Sequence, residues 1–222
     1  MRPLLICFFL LFGLAIFGQN DSITIKFIPT FNGENLVLDK NYSLSFDSAK
    51  ITKLKFYVSN FSFIKADSVS YPLQTKGYLM NIENKLEVKL PINSSFDSIR
   101  FCIGIDSSTN SGGALGNDLD PINGMYWAWQ SGYINFKLEG TSPACYARKS
   151  KFQFHIGGYL PPFNSIKKIT LKAQNLKLIQ IEIPINELLT EEIVNSDHTI
   201  MSPSKKAVSF SQKIKQIIKV KK

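Results

Sequence analysis

Apolar and polar residues alternate with a period of two along much of the chain after the first twenty residues. Such alternation indicates strands with one buried face, because successive side chains of a strand point to opposite faces of the sheet. The predicted strands are residues 23–28, 53–64, 86–90, 98–105, 133–138, 152–156, 169–173 and 176–183. Many short strands separated by turn-rich stretches predict an all-β fold, specifically an antiparallel β-sandwich.

The periodicity changes near the C-terminus, where apolar residues recur at helical spacing. Ser202 offers a cap and Pro203 would occupy the first helical position, so a short C-terminal amphipathic helix is predicted. Its single apolar stripe is typical of a helix docked on a core, and membrane contact of this helix is not expected. The stripe contains Phe210, Ile214, Ile217 and Ile218.

The first residues predict export. Arg2 precedes an apolar run at residues 4–17, and Gly18 is followed by polar residues, a pattern typical of a secretory signal peptide cleaved after Gly18. The run is shorter than the about 20 residues needed to span a bilayer comfortably. The prediction is therefore a signal peptide at residues 1–18 and a single domain at residues 19–222, located in the periplasm or secreted.

Two cysteines follow the predicted signal peptide, Cys102 in a predicted strand and Cys145 in a loop. An oxidising compartment would allow them to form a disulfide. A buried free thiol at Cys102 and a soft metal ligand are the alternatives, because the sequence does not give the distance between the two residues.

The formal net charge of +9 is a local property. Seven lysines lie in the segment from residue 205 to residue 222, which has no acidic residue, and the rest of the mature chain is nearly neutral. A surface-wide positive field for phosphate backbones is therefore absent from the sequence, and nucleic-acid binding is not expected.

Histidine content limits the chemistry, since His155 and His198 are the two histidines of the chain. A three-histidine zinc site is excluded, and no Gly-x-Ser-x-Gly motif or phosphate loop is present, so an enzyme is not expected. Copper(I) accepts few ligands and prefers imidazole and soft sulfur, which these histidines could provide with Met125 and Met201. The alternative for each histidine alone is a hydrogen-bonded structural role.

Both tryptophans of the chain, Trp127 and Trp129, lie in one short segment after a glycine-rich loop. Their spacing of two predicts that they share one face of a strand. Three interpretations remain open: ordinary core packing, a role at a metal site, and stacking on sugar rings in a secreted glycan-binding module.

Asp118, Asp120 and Asn123, followed by Gly124, resemble a calcium-binding loop, because alternating oxygen ligands before a glycine can surround a hard cation. The spacing departs from the EF-hand pattern and lacks its distal glutamate. Asp and Asn also form ordinary turns through side-chain hydrogen bonds, so a turn is favoured over calcium. The pair Asp118 and Asp120 is also the nearby carboxylate pair that an enzyme would use.

Two strings of the sequence resemble motifs of the MbnP family. They are Gly-Ala-Leu-Gly-Asn-Asp-Leu-Asp-Pro-Ile-Asn-Gly-Met-Tyr-Trp-Ala-Trp-Gln-Ser-Gly-Tyr and Phe-His-Ile-Gly-Gly. That family comprises extracytoplasmic proteins linked to copper handling. The resemblance maps the histidine of the family's Phe-His motif onto His155 and the tryptophan of its Trp-x-x-Gly-Tyr motif onto Trp129, with Trp127 as the neighbouring candidate. His198 matches a less constrained position.

The resemblance also implies chemistry at the tryptophans. In some members of the family a tryptophan is oxidised to kynurenine, whose amine joins histidines around copper. The implied partner is a diheme peroxidase-like protein that performs this oxidation. For this chain, the resemblance implies an exported copper-binding protein with Trp127 or Trp129 as the modified residue.

Overall fold

The structure is a computed structural model that describes residues 22–72, 77–92, 94–130 and 132–221. The predicted signal peptide and its cleavage site lie outside these residues. Within the described ranges, no helix is long and apolar enough to cross a membrane.

Strands make up most of the regular structure, and they are numbered in chain order. The strands are β1 (Ser22–Phe31), β2 (Glu34–Asn35), β3 (Asn41–Ser43), β4 (Ser48–Lys65), β5 (Ser68–Pro72), β6 (Tyr78–Asn81), β7 (Glu87–Pro91), β8 (Ser98–Ile103), β9 (Tyr126–Trp127), β10 (Gly132–Thr141), β11 (Lys151–Gly157), β12 (Lys167–Lys172), β13 (Leu178–Pro184), β14 (Thr199–Ile200) and β15 (Lys219–Val220). The α-helices are α1 (Ser107–Ser111), α2 (Glu191–Asn195) and α3 (Lys205–Ile217). Short 3-10 turns occur at Asn117–Leu119, Pro121–Asn123, Arg148–Ser150 and Ile185–Leu188. Every predicted strand overlaps one of these strands.

The described strands form two sheets. In the first, β15, β13 and β1 are neighbours, and both β2 and β7 pair with β1. In the second, the order is β12, β8, β4, β10, β11 and β14. Strands β3, β5 and β6 also pair with β4, and β9 pairs with β10. Most pairs are antiparallel, as predicted, but β1 with β13 and β11 with β14 are parallel.

Aromatic side chains join the two sheets. Phe27 of β1 makes edge-to-face contacts with Phe56 of β4 and Phe101 of β8, at centroid distances of 5.5 and 5.7 Å. All three rings are fully buried. Burial of such rings between two sheets is the main favourable contribution of a sandwich core, and the predicted β-sandwich is confirmed.

Helix α3 docks on the sandwich through its apolar stripe. Phe210 and Ile214 are buried, and the centroid of the Phe210 ring lies 4.9 Å from that of Phe154 in β11. The predicted start of the helix was wrong by two residues. Ser204, rather than Ser202, is the cap, because its hydroxyl accepts the backbone N–H of Ala207 at 3.2 Å. Pro203 therefore precedes the cap and does not occupy the first helical position.

Replacing Ser204 by alanine is expected to lower the free energy of unfolding by about 1 kcal/mol, because an N–H at the start of α3 loses its acceptor. Urea denaturation followed by circular dichroism measures this change. Ser202→Ala is the matched control and should leave the unfolding free energy nearly unchanged. Equal effects of the two substitutions would contradict the assignment of the cap.

Both cysteines are buried free thiols, so the structure does not contain the disulfide considered above. Burial raises the pKa of the Cys102 thiol. The Cys145 thiol donates to the backbone oxygen of Lys151 at 3.2 Å. These environments favour the interpretation that the cysteines are part of the folded interior.

Candidate metal centre

The outer face of the second sheet presents two rows of polar side chains that run across β4, β10 and β11. Strand register places directly opposed residues in the same row, and alternation directs the intervening side chains into the core. The first row contains Lys55, Lys137 and His155, and the second contains Lys53, Glu139 and Gln153.

His155 is oriented by a carboxylate. Its Nε2 lies 2.7 Å from Oε1 of Glu139, and this hydrogen bond lowers the pKa of Glu139. An ionised carboxylate can only accept, so Nε2–H is the donor and Nδ1 is the remaining nitrogen. Nδ1 has no hydrogen-bond partner among the described residues. Metal-binding histidines are commonly held in this way, with one ring nitrogen on a carboxylate and the other on the metal.

Trp127 lies on the same face of β11 as His155. Its indole covers Gly157, where an added Cβ would be 2.6 Å from Cζ3 of the ring. Gly157 is two residues after His155 in β11, and residues two apart share a face. Trp127 is 5% exposed and packs in the apolar cluster that contains Tyr133, so its ring is buried on this face of the sheet.

Trp129 has a different environment. Strand β9 ends at Trp127, and Trp129 lies in the turn that follows, with 67% of its surface exposed. The prediction that both tryptophans share one strand face was therefore wrong, because the chain turns before the second residue. The two rings nevertheless remain neighbours, with centroids 5.7 Å apart and planes inclined by 43°.

The two candidate methionines also differ. Met125 is completely buried in a cluster that includes Tyr57 and Tyr133, which favours a packing role. Met201 is 40% exposed and directly follows Ile200, the partner of Phe154 in the β11 and β14 register. Strand β14 ends at Ile200, so Met201 lies just beyond the residues that pair with β11.

His198 lies immediately before β14. Its Nδ1 is 3.1 Å from the backbone oxygen of Asn195, which can only accept, and its own backbone oxygen accepts the N–H of Gln153. Because Thr199 is opposite Gln153, His198 is three residues from His155 along the strand direction, or about 10 Å. Strand pairing therefore does not bring the two histidines to one level.

The described part of the chain contains no cluster of three or more His, Cys, Asp or Glu side chains that could hold a metal ion. The candidate donors of the sequence that remain are the His155 imidazole and the exposed Met201 thioether, since a neutral indole N–H can donate a hydrogen bond but not ligate a metal. A set of this kind suits a soft ion of low coordination number rather than a hard divalent ion.

The loop that resembles a calcium site has other partners for its oxygens. Asp118 forms a 2.7 Å salt bridge with Lys85 and accepts the backbone N–H of Leu79. Asp120 accepts the N–H of Ile122 at 2.9 Å, as in an ordinary Asx turn. The Asn123 side chain donates to two carbonyl oxygens of residues 117 and 118. These contacts favour the turn interpretation.

Adding millimolar calcium to the metal-free protein is accordingly expected to leave its melting temperature unchanged, since a ligand raises stability only by binding the folded state. Asp118→Ala, in contrast, is expected to lower the free energy of unfolding by about 1–3 kcal/mol, because the Leu79 N–H loses its charged acceptor. Differential scanning fluorimetry with and without calcium measures both effects. A calcium-dependent rise that is lost in Asp118→Ala would instead establish a calcium site.

A cleft of about 190 Å³ opens beside Trp127. Its walls are mainly apolar and aromatic, and Gln130 supplies an amide. The lining residues are Trp127, Gln130, Gly132, Gly158, Tyr159, Leu160, Pro161, Phe163 and Pro203.

With this geometry in hand, comparison with known proteins identifies the family. The family model of MbnP matches residues 20–204. The chain belongs to the MbnP family. Among solved structures, MbnP from Methylosinus trichosporium is similar, with a TM-score of 0.58 and 12% sequence identity over 75% of this chain and 76% of that chain. At this identity the likeness shows a shared fold. No curated protein matches the chain. Membership of the MbnP family links the chain to copper-associated proteins.

In this MbnP-family chain, sequence reasoning missed Glu139 and the lysines of the first row. Glu139 is 16 residues before His155, and its role depends on the register of β10 with β11. The signal that was present is the alternation of Lys137 and Glu139 with buried residues along a predicted strand. That alternation places them on the outer face, but it does not give their partners.

Proposed function

We propose that this protein is an exported copper-binding protein, located in the periplasm or secreted, that binds or transports Cu(I) and does not catalyse turnover. His155 is the central ligand, and Met201, which directly follows β14, is the candidate sulfur ligand. The observation that carries the proposal is the 2.7 Å hydrogen bond between Glu139 and His155, which orients the imidazole and leaves Nδ1 open.

The chemistry of the donor set fits Cu(I). An imidazole and a thioether are ligands that this ion prefers, and two or three ligands satisfy it. His155 is only 6% exposed, so a metal ion bound by its imidazole would be largely removed from solvent. A singly charged ion is easier to place in such surroundings than a divalent one, because the desolvation of a charge rises steeply with its magnitude. His198 would contribute only after a rearrangement of the segment before β14.

The proposal includes oxidation of one tryptophan to kynurenine by a diheme peroxidase-like partner. The exposed ring of Trp129 is accessible to another protein, whereas Trp127 lies beside the His155 position. The amine of a kynurenine formed at this pair of rings would add a nitrogen ligand to the imidazole and thioether. This part of the proposal rests on membership of the MbnP family together with the contact between the two rings.

Copper titration of the purified mature protein tests the function. Under anaerobic conditions, Cu(I) in competition with a chromophoric chelator should show one saturable site. Peptide mass mapping of protein from its native host, with metal analysis of the same sample, tests for kynurenine at Trp127 or Trp129. Absence of saturable binding in both the unmodified and the native protein would refute the copper proposal.

A second candidate function is glycan binding, which is supported by the exposed ring of Trp129 next to an aromatic cleft. Exposed aromatic rings stack on the apolar faces of sugar rings. This function predicts quenching of tryptophan fluorescence by oligosaccharides and loss of that quenching in Trp129→Ala. Copper would have no effect on the response, which separates this candidate from the copper proposal.

A further inference from the structure

Two lysines face each other in the first row on the outer face of the sheet. Lys55 of β4 is directly opposite Lys137 of β10, and like charges in this arrangement destabilise a strand pair. The side chain of Lys137 is only 12% exposed, and burial lowers the pKa of its ammonium group. Such a pair needs compensation from nearby acceptors.

The compensating acceptors are two consecutive backbone oxygens. Lys55 Nζ donates to the oxygen of Asn123 at 3.1 Å, and Lys137 Nζ donates to the oxygen of Gly124 at 2.7 Å. These residues end the turn at Pro121–Asn123, and Gly124 adopts a left-handed conformation with φ of 68°. Trp127 follows three residues later, so the lysines hold the backbone from which the indole extends.

Lys137 also contacts the other half of the site. Its Nζ lies 3.8 Å from Oε1 of Glu139, and that oxygen accepts the His155 hydrogen bond at 2.7 Å. Lys137 is directly opposite His155 in the strand register. One ammonium group is therefore in contact with both the segment that carries Trp127 and the carboxylate that orients His155.

We infer that Lys137, assisted by Lys55, is a positioning residue that fixes the tryptophan segment relative to the His155 and Glu139 pair. The inference rests on the proposed copper function for its consequence on binding, but its structural content does not need the metal. A lysine is suited to this role because its ammonium group has three donors and can bind a carbonyl and a carboxylate together.

The test uses a full-length mature protein carrying Trp129→Phe, in which Trp127 is the remaining tryptophan. Lys137→Met keeps an unbranched side chain, one atom shorter, and removes its charge. In the metal-free protein, the emission of Trp127 should shift to longer wavelength, and its quenching by acrylamide should rise about twofold or more. Cu(I) affinity should fall about tenfold, the lower end of the range for residues that orient a ligand.

Lys85→Met is the matched control, because Lys85 binds the same loop through Asp118 but has no contact with Glu139. Lys85→Met should leave Trp127 emission and Cu(I) affinity unchanged. Lys137→Arg, which keeps the charge, should retain most of the Trp127 emission and most of the Cu(I) affinity of the parent protein. If Lys137→Met does not fold, Lys55→Met is expected to shift the Trp127 emission in the same direction by a smaller amount.

Unchanged emission and quenching in Lys137→Met would overturn the inference, as would equal changes in Lys137→Met and Lys85→Met, which would indicate general loosening of the loop. If the emission changes only in Lys137→Met while the parent protein binds no copper, the positioning role holds and the proposed function fails. The two conclusions can thus be separated in one set of samples.

Discussion

Replacement of His155 by alanine is expected to lower Cu(I) affinity by at least about 100-fold, because even loss of the groups that orient a metal ligand reduces affinity by about 10–100-fold. The imidazole is the proposed nitrogen ligand, and its removal would leave the exposed Met201 thioether as the remaining proposed donor. Competition with a chromophoric Cu(I) chelator under anaerobic conditions measures the change.

The fold should tolerate this substitution. Glu139 keeps two other cationic neighbours, since Lys53 and Lys137 each have Nζ within 3.8 Å of its carboxylate. Circular dichroism of His155→Ala should therefore match that of the parent protein, so that loss of copper binding reports the site and not unfolding.

Gln153→Ala is the matched control for His155→Ala. Gln153 lies on the same face of β11, two residues away, and should leave Cu(I) affinity nearly unchanged. His198→Ala should have a smaller effect than His155→Ala, because His198 is three residues away along the strand direction. Retention of full affinity in His155→Ala, or equal losses in all three variants, would show that copper binds elsewhere.

Much of the fold could be predicted from local patterns. Alternation along residues 152–156 identified β11. It also placed His155 on the face opposite Phe154 and Ile156, because adjacent residues of a strand point to opposite faces. The stripe containing Phe210 and Ile214 likewise predicted the docking of α3, because an amphipathic helix needs an apolar surface to cover. These features depend only on neighbours in the sequence.

The rest of the site depends on register, which local patterns do not specify. Glu139 meets His155 because β10 and β11 pair with one offset, and a shift of one residue would place Glu139 on the other face. The parallel pairing of β1 with β13 joins segments about 150 residues apart and also has no local signal. The motif containing Trp127 and Trp129 was found, but the end of β9 between them was not.

The loop of Asp118 and Asp120 shows the same limitation. Its spacing of oxygens resembled a cation site, yet the cations that bind its oxygens are lysines. Lys85 reaches Asp118, while Lys55 and Lys137 reach the two carbonyls at the end of the loop. Because these lysines come from distant parts of the chain, the local spacing alone could not distinguish ammonium groups from a metal ion.

Gly157→Ala is expected to lower the free energy of unfolding by about 1–3 kcal/mol, the usual range for overpacking, and to weaken Cu(I) binding. The new methyl group would lie 2.6 Å from Cζ3 of Trp127 and 2.8 Å from the backbone oxygen of Tyr133. The indole can rotate away but the oxygen belongs to β10, so relief requires movement of both the ring and the sheet.

Displacement of the indole should appear in the Trp129→Phe background as a red shift of Trp127 emission, and chemical denaturation should show the lower stability. Gly116→Ala is the control, since nothing lies within 4 Å of a Cβ at that position and its φ of −94° suits alanine. Copper affinity falling together with the Trp127 shift in Gly157→Ala would tie the metal to the surface that Trp127 and His155 share. If the ring moves and Cu(I) affinity stays constant, the unmodified tryptophan contributes nothing to binding, and the other proposed ligands account for the affinity of the protein.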